Sequence, residues 1–359
     1  MSADAPPLPR DAAGSIGPLP LPRFDHLVHM SAELGMWEHA ELLAPRPAHG
    51  FCTDDNARAL IVLSRETTRS DELDELAVTS LRFVLDARDD DGRFHNRRRH
   101  DGTWLDEVGS DDSQGRAWWA LGVTARGGRS PEMRAEAVAA FDRCASFDSS
   151  DHLRPHAFAV LGAVDLLTVA PDHADALALL GRSVDRLAGA ATGDGPWFET
   201  RLTYDNARLP EALIAGGVAL GEADLVRTGL RLLGWLVDVE TTDGHFSFVP
   251  ARGWVPGEPR PAFDQQPVEA VAMAEACHRA WTVTGDEWWR DQGMRAVRWF
   301  LGDNDTGGVL YDELTGGTRD GLMIDRVNEN QGAESTLAGL AALQIAIAFG
   351  VDTPSVVAT

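Results

Sequence analysis

Apolar positions along this chain fall into two kinds of run that alternate. In the first kind they keep to one side of a helical repeat. From Glu222 onward, Val226, Leu230, Leu233 and Val237 form one stripe, with Arg227 and Arg231 off it. From Asp286 onward, Trp289, Ala296 and Phe300 share a side, while Arg290, Arg295 and Arg298 lie elsewhere. One-sided spacing predicts amphipathic helices covering a core. Others of this kind are expected to start near Phe24, Asp71, Pro131 and Asp172. In the second kind, Ala, Gly and Leu occupy several sides of the repeat, as in ALIVL (59–63), AWWALGV (117–123) and AFAVLGAVDLL (157–167). LPEALIAGGVAL (209–220), VEAVAMAEA (268–276) and AESTLAGLAAL (333–343) continue the series. Such runs predict helices buried all round, with small residues permitting close helix contacts.

Each buried run follows a polar cluster. The clusters are Thr53-Asp54-Asp55-Asn56, Ser110-Asp111-Asp112-Ser113-Gln114, Tyr204-Asp205-Asn206, Asp264-Gln265-Gln266 and Asn328-Glu329-Asn330-Gln331, with a weaker copy at Arg154-Pro155-His156. Their centres are roughly 45 to 65 residues apart, one helical hairpin each. Between them, Asp91-Gly92, Asp194-Gly195 and Asp243-Gly244 precede aromatic-bearing segments, and Thr306-Gly307 is a looser copy. Asp-Gly there predicts tight turns into short strands. The long connections 88–111, 239–264 and 302–330 therefore gather at the polar end of the buried helices; loops of such length are commonly functional. The architecture that fits is all-α, an (α/α)6 toroid with short β-hairpins at the inner-helix N-terminal face. An α-solenoid is the runner-up. The expected division is a flexible N-terminal segment, 1–23, one toroid domain, 24–350, and a tail, 351–359.

Charge narrows the partners. The net charge of −24 excludes the basic face that nucleic acid or anionic membranes require. No apolar run is long enough to span a bilayer. The N-terminus lacks the basic start and apolar centre of a secretory signal, so a cytoplasmic location is expected. No lysine occurs in the chain, which removes Schiff-base and P-loop chemistry. Cys52, Cys144 and Cys277 form neither a disulfide framework nor a metal spacing, and read as packing residues. No zinc, nucleophile-elbow or dinucleotide motif is present. No metal and no cofactor is expected. Asp303-Asn304-Asp305 lacks the Glu a calcium loop needs.

The clusters carry the chemistry. One acid before a helix is explained by N-capping. Three consecutive polar residues exceed what a cap needs, so Asp54 is assigned to capping and Asp55 to the cavity, and Asp111 and Asp112 divide likewise. The surplus includes amides, namely Asn56, Gln114, Asn206, Gln265, Gln266, Asn328, Asn330 and Gln331. Amides donate and accept, matching sugar hydroxyls. Glu269 lies four residues beyond Gln265 and Glu334 three beyond Gln331, each on a nearly all-apolar helix where a carboxylate is costly unless it faces a cavity. Glycosidic cleavage needs two carboxyl groups. The catalytic candidates are Asp55, Asp112, Asp205, Glu269 and Glu334, with Glu107 and Glu199 available from loops. Arg116, Arg208 and His156 join the substrate-binding set. Trp104, Trp197 and Trp254 lie in connections and are expected as sugar-stacking platforms. The helical tryptophans, Trp118, Trp119, Trp235, Trp281, Trp288, Trp289 and Trp299, are expected mostly in the core. Arg97, Arg98 and Arg99 are the candidate anion pocket.

The stretches FCTDDNARAL, WLDEVGSDDSQGRAWWALG, TYDNARLPEAL and VNENQGAESTLA resemble a bacterial group of six-hairpin glycosidase-like proteins, over nearly the whole chain from about residue 24. The resemblance implies an active site at the N-terminal mouth of the inner helices. It implies a setting beside glycosyltransferases and β-mannoside phosphorylases, among relatives that are glycoside hydrolases, sugar epimerases and unsaturated-uronyl hydrolases. The resulting expectation is a glycoside hydrolase acting on an oligosaccharide or glycan, mannose-containing ones included. Inversion is expected by analogy, with Asp112 or Asp55 as one partner and Glu334 or Glu269 as the other. The alternatives are a sugar phosphorylase or epimerase of the same fold, the latter using His156 and His245, or a non-catalytic glycan-binding module partnering a glycosyltransferase.

Overall fold

The computed structural model describes residues 19–142, 150–192 and 195–351. Six helices form an inner ring: α2 (Thr53–Arg65), α4 (Asp111–Gly127), α6 (Leu153–Leu167), α8 (Arg208–Leu220), α10 (Pro267–Thr284) and α12 (Ala333–Ala348). Each packs on the next, and α12 returns to α2, closing the ring. Closure excludes the solenoid. The fold is the (α/α)6 toroid.

The inner helices are buried on nearly every side because their neighbours in the ring and the outer helices enclose them. Close approach needs glycine at one crossing. A Cβ on Gly122 of α4 would lie 2.0 Å from the Gly162 carbonyl oxygen of α6. Large aromatics fill the space between the rings, with Trp118, Phe158 and Trp299 at most 1% exposed; each contributes roughly 2–3 kcal/mol by leaving water.

Among the described residues five outer helices cover the ring: α3 (Asp71–Asp86), α5 (Pro131–Ala140), α7 (Ala174–Ala191), α9 (Ala223–Glu240) and α11 (Glu287–Trp299). Ser70, Ser130 and Asp286 cap α3, α5 and α11 through their side chains. The buried face of α9 is centred on Leu232, Leu233, Leu236 and Val237, rotated from the predicted stripe, so that Val226 and Leu230 are only half-buried. The sixth outer position departs from expectation. The segment at Phe24 gives only α1 (Asp25–His29), packed on α12 and α3. The chain then leaves helical geometry for two hairpins, β1–β2 (Ser31–Ala32 with Gly35–Met36) and β3–β4 (Ala40–Glu41 with Ala44–Pro45). Gly35 permits this, with φ +144° and no room for a Cβ beside Asn56 and Phe83.

The short strands lie in the connections, as in β5–β6 (Phe51–Cys52 with Arg97–Arg98) and β7–β8 (Thr241–Thr242 with His245–Phe246). Asp243 and Gly244 both take positive φ between β7 and β8, as a two-residue hairpin turn requires. Asp194 and Cys144 lie outside the described residues. Residues 19–23, expected in a flexible segment, lie against the toroid: Leu19 is buried and the Arg23 N–H donates to Tyr311 Oη at 3.0 Å. Among the described residues no helix is long and apolar enough to cross a membrane.

Candidate active site

A cavity of about 1010 Å³ opens at the N-terminal ends of the inner helices. Every inner helix or its leading turn contributes. Asp54, Asp55 and Arg58 come from α2, and Asp111, Asp112 and Arg116 from α4. His152 and Arg154 stand at the start of α6, Thr203 and Tyr204 precede α8, Gln266 and Val268 open α10, and Glu334 and Ser335 belong to α12. The wall between α12 and α2 is made by the N-terminal hairpins, which bring Glu38 and His39. Backbone bonds lock them there, with the Ala333 N–H donating to Glu38 O at 3.1 Å and the Gln331 N–H to Leu42 O at 3.0 Å.

Arginines one turn down form the floor. Arg58 donates to Asp55 Oδ1 at 2.8 Å and to Glu334 Oε2 at 2.6 Å. Arg116 donates to Asp205 Oδ2 at 2.8 Å and lies 3.4 Å from Asp54, with its guanidinium 4.1 Å from the Phe158 ring centroid. Beneath them, Arg208 pairs with Glu211 at 2.7 Å and with Glu275, which also takes Arg65. These arginines survive burial because each is paired, and Arg116 and Arg208 also stack on Phe158 and Trp119. Burial alone would raise the Glu275 carboxyl; Arg208 and Arg65 overcome it and hold the group at about 2.

Burial raises carboxyls at the mouth above their ordinary values, Asp55, Asp112 and Asp320 among them. Asp55, 4% exposed, is pushed up to about 6, first by burial and then by the neighbouring Glu334, against Arg58. Asp112 is raised by burial, against Arg116 and a hydrogen bond from Tyr204. That bond runs from Tyr204 Oη to Asp112 Oδ2 at 2.7 Å. The Arg154 guanidinium lies 4.7 Å from the Tyr204 ring centroid and donates to Glu199 at 2.8 Å and to Asn206 Oδ1 at 3.2 Å.

Of the residues singled out from the sequence as site candidates, Asp54, Asp55, Arg97, Asp111, Asp112, Arg116, Glu199, Gln266, Asn328 and Glu334 line the cavity. No division of acids into caps and cavity groups occurs on α4, because Ser110 caps that helix and both acids face the mouth. On α2 no side chain caps the N-terminus, and again both acids line the cavity. Asp205 and Arg208 lie below the floor. Glu269 is corrected in placement: it accepts the backbone N–H groups of Asp205 and Asn206 and is walled off from the mouth.

The amides are mostly corrected too. Asn56 accepts from Met36 N–H at 2.9 Å and donates to Cys52 O at 2.8 Å. Gln114 brackets Phe94, accepting from its N–H at 2.7 Å and donating to its carbonyl at 2.6 Å. Gln265 accepts from Phe248 N–H at 3.1 Å and Trp299 Nε1 at 3.0 Å, and Asn330 from Leu42 N–H at 2.9 Å. Asn206 accepts from Thr203 N–H at 3.1 Å. Gln331 is buried away from the cavity. These side chains fasten loops to helices, a use of the same donors and acceptors that sugars would engage.

The tryptophans are corrected likewise. Trp104 packs against Phe83 and His95, Trp197 against Phe198 and Trp235, and Trp254 donates to Glu258 O at 2.8 Å. None of the three lines the cavity. Among the helical tryptophans, Trp288 is 41% exposed rather than core. Glu107 is exposed and outside the lining. The three-arginine anion pocket does not form: Arg97 lines the cavity but is paired with Glu38, while Arg98 stacks 5.0 Å from Trp104. His156 is buried between Ser183 and Ser150, and His245 pairs with Asp305; the cavity histidines are His39 and His152.

Arg58 was missed, although a signal existed. Arg58 and Arg116 each stand four residues after Asp54 and Asp112, one turn deeper on the same face, and Arg208 follows Tyr204 at the same spacing. Glu38, His39 and Asp320 had no local signal, because long-range packing brings them in.

Glu38, Cys52 and Asp55 place three potential metal ligands within 4.8 Å of one another. They do not fit a metal well. Arg97 and Arg58 already engage the two carboxylates, and burial, followed by Asp55, pushes the Cys52 thiol well up, against the thiolate a metal requires.

No protein-family model matches the sequence, and no curated protein matches it. Solved structures share the fold. A sugar epimerase from a ruminal bacterium superposes with a TM-score of 0.70 at 14% identity, covering 92% of this chain and 96% of its own. The cellobiose 2-epimerase of Spirochaeta thermophila gives 0.63 at 12%, covering 89% and 93%. A GH76 α-mannanase of Bacteroides thetaiotaomicron gives 0.59 at 11%, covering 84% and 86%. These neighbours are enzymes acting on sugars, in (α/α)6 toroids like this one.

Proposed function

We propose that this protein is a glycoside hydrolase acting on an oligosaccharide, mannose-containing glycans included, by inverting acid–base catalysis. The observation that carries the reading is that Asp112 and the Asp55–Arg58–Glu334 unit line one cavity, from the neighbouring helices α4, α2 and α12. Asp55 and Glu334 flank one guanidinium, which fills the space a sugar would need between them. They therefore act together as the acid side, where burial and the neighbouring Glu334 and Glu38 favour a proton on Asp55. Glu334, with a side chain 39% exposed, is the member that reaches substrate. Asp112 joins it from α4 as the base, with Arg116 and the Tyr204 hydrogen bond favouring its ionised form against burial, and with Tyr204 engaging one oxygen and leaving the other for water. The acid side protonates the glycosidic oxygen as the C–O bond breaks; Asp112 takes a proton from the water whose oxygen joins the anomeric carbon.

The mouth supports a small polar substrate, since Tyr204 is the one aromatic platform in its lining among the described residues. The resemblance of the sequence motifs supports a functional link to a glycosyltransferase. The discriminating experiment measures reducing-end release from an oligosaccharide panel, with and without phosphate. Phosphate-independent release supports hydrolysis; release only with phosphate transfers the reading to phosphorolysis.

Epimerisation is the second reading, favoured by His39 and His152 in the lining and by the named epimerases of the same fold. It predicts a changed sugar without bond cleavage and solvent deuterium at the inverted carbon.

A further inference from the structure

Glu269 projects from α10 into a turn on the neighbouring segment. One carboxylate oxygen takes the Asp205 N–H; the other takes the Asn206 N–H and the Asn206 side-chain amide, each at 3.2 Å. The turn it grips is strained, for Asp205 has φ +51°, a left-handed conformation uncommon outside glycine. Arg116 and Arg208 hold the Asp205 carboxylate, at 2.8 Å and 3.4 Å. The residue before it is Tyr204, whose hydroxyl meets Asp112. Neither Glu269 nor its donors reach the mouth, yet they set where that hydroxyl lies.

We infer that Glu269 is a positioning residue for Asp112, acting through the clamped Tyr204-Asp205-Asn206 turn. This rests on the reading of Asp112 as the base. A carboxylate is suited to the task because it offers acceptors only, and three N–H groups converge on it. A glutamine would turn an NH₂ toward at least one of those donors. The surroundings make the clamp sensitive. Burial, then Asp205, pushes Glu269 up to about 7, against the two N–H groups and Arg154. Behind it, Glu240 at the end of α9 is raised to about 8, by burial and then by Glu269 itself, against its bond from Val249 and Arg260. Protonating Glu269 puts a donor among donors and loosens the grip.

The test uses the full chain labelled with ¹³C at the tyrosine ζ carbon. The sequence has two tyrosines, and Tyr311, held at Arg23, reports whether the fold is intact. The Tyr204 signal should follow the ionisation of Asp112 and lose that response in Asp112→Asn. In Glu269→Gln, with Tyr311 unmoved, the Tyr204 signal should shift and lose most of the response, and Glu269→Asp should restore part of it. A Tyr204 signal that still follows Asp112 unchanged in Glu269→Gln overturns the inference. If Glu269→Gln also displaces Tyr311, the wild-type titration decides. A second inflection of Tyr204 as Glu269 takes up its proton supports the inference, and its absence overturns it. Where turnover is measured, Tyr204→Phe and Glu269→Gln should move the acid limb of kcat/KM upward alike, by about half to one pH unit, because each removes the donor that favours ionised Asp112. No substrate enters the spectroscopic arms. Absence of turnover would sink the catalytic reading and leave the clamp standing.

Discussion

Asp55 and Glu334 take opposite ends of one guanidinium, Arg58 donating to the first at 2.8 Å and to the second at 2.6 Å. The ring brings them together: α12 closes on α2, so residues from the two ends of the chain share a cation. Removing that cation leaves two carboxyls facing each other in a largely buried place. Arg58→Ala should raise the Asp55 pKa further above about 6, read by ¹³C-carboxyl titration. Turnover should fall by about 10²–10⁴-fold, the range for disabling a general acid.

Asp112→Asn and Glu334→Gln should each lower turnover by about 10²–10⁴-fold while leaving the circular-dichroism melt nearly unchanged. Both side chains face the cavity rather than the core. Full activity in both variants would remove the assignment.

Buried acids make stability fall as pH rises. Asp55, Glu269 and Glu240 are raised to about 6, 7 and 8 from ordinary values of 3.8, 4.5 and 4.5. The folded state therefore holds protons that the unfolded chain has released. The stabilisation is complete below the unfolded values and is lost as pH climbs through the folded ones. Glu240→Gln keeps the acceptor used by the Val249 N–H (3.0 Å) but cannot ionise. Relative to the wild type, its Tm should gain between about pH 5 and pH 8.5. A parallel pair of Tm curves would refute the buried pair's role.

The two kinds of amide should separate in one experiment. Gln114→Ala strips the partner from the buried Phe94 N–H and should cost about 1–3 kcal/mol in urea unfolding. Gln266→Ala should leave stability unchanged and weaken glycan binding, because Gln266 lines the cavity.

Much of this was legible in the sequence for a physical reason. All-round apolar runs such as AWWALGV point to enclosed helices, and in a closed ring the acids placed before them gather at one end. The mouth and its carboxylates followed. The roles of Gln114, Gln265 and Asn206 did not, because an amide satisfies a backbone carbonyl as readily as a sugar hydroxyl, and only the fold says which is within reach. Trp104 and Trp254 misled similarly: a loop position does not say which way an indole turns. Glu38 and His39 were hidden because β1–β4 stand where a sixth full outer helix was expected.

The central claim is that Asp112 and the Asp55–Arg58–Glu334 unit, lining one cavity, together cleave a glycosidic bond. The most direct measurement is a proton NMR time course of wild-type protein and Asp112→Asn with a panel of oligosaccharides, following anomeric signals from the first minutes. The account predicts new signals with the wild type, the first anomer inverted relative to the substrate linkage, and none with Asp112→Asn. A retained first anomer, or equal turnover by the variant, would contradict it.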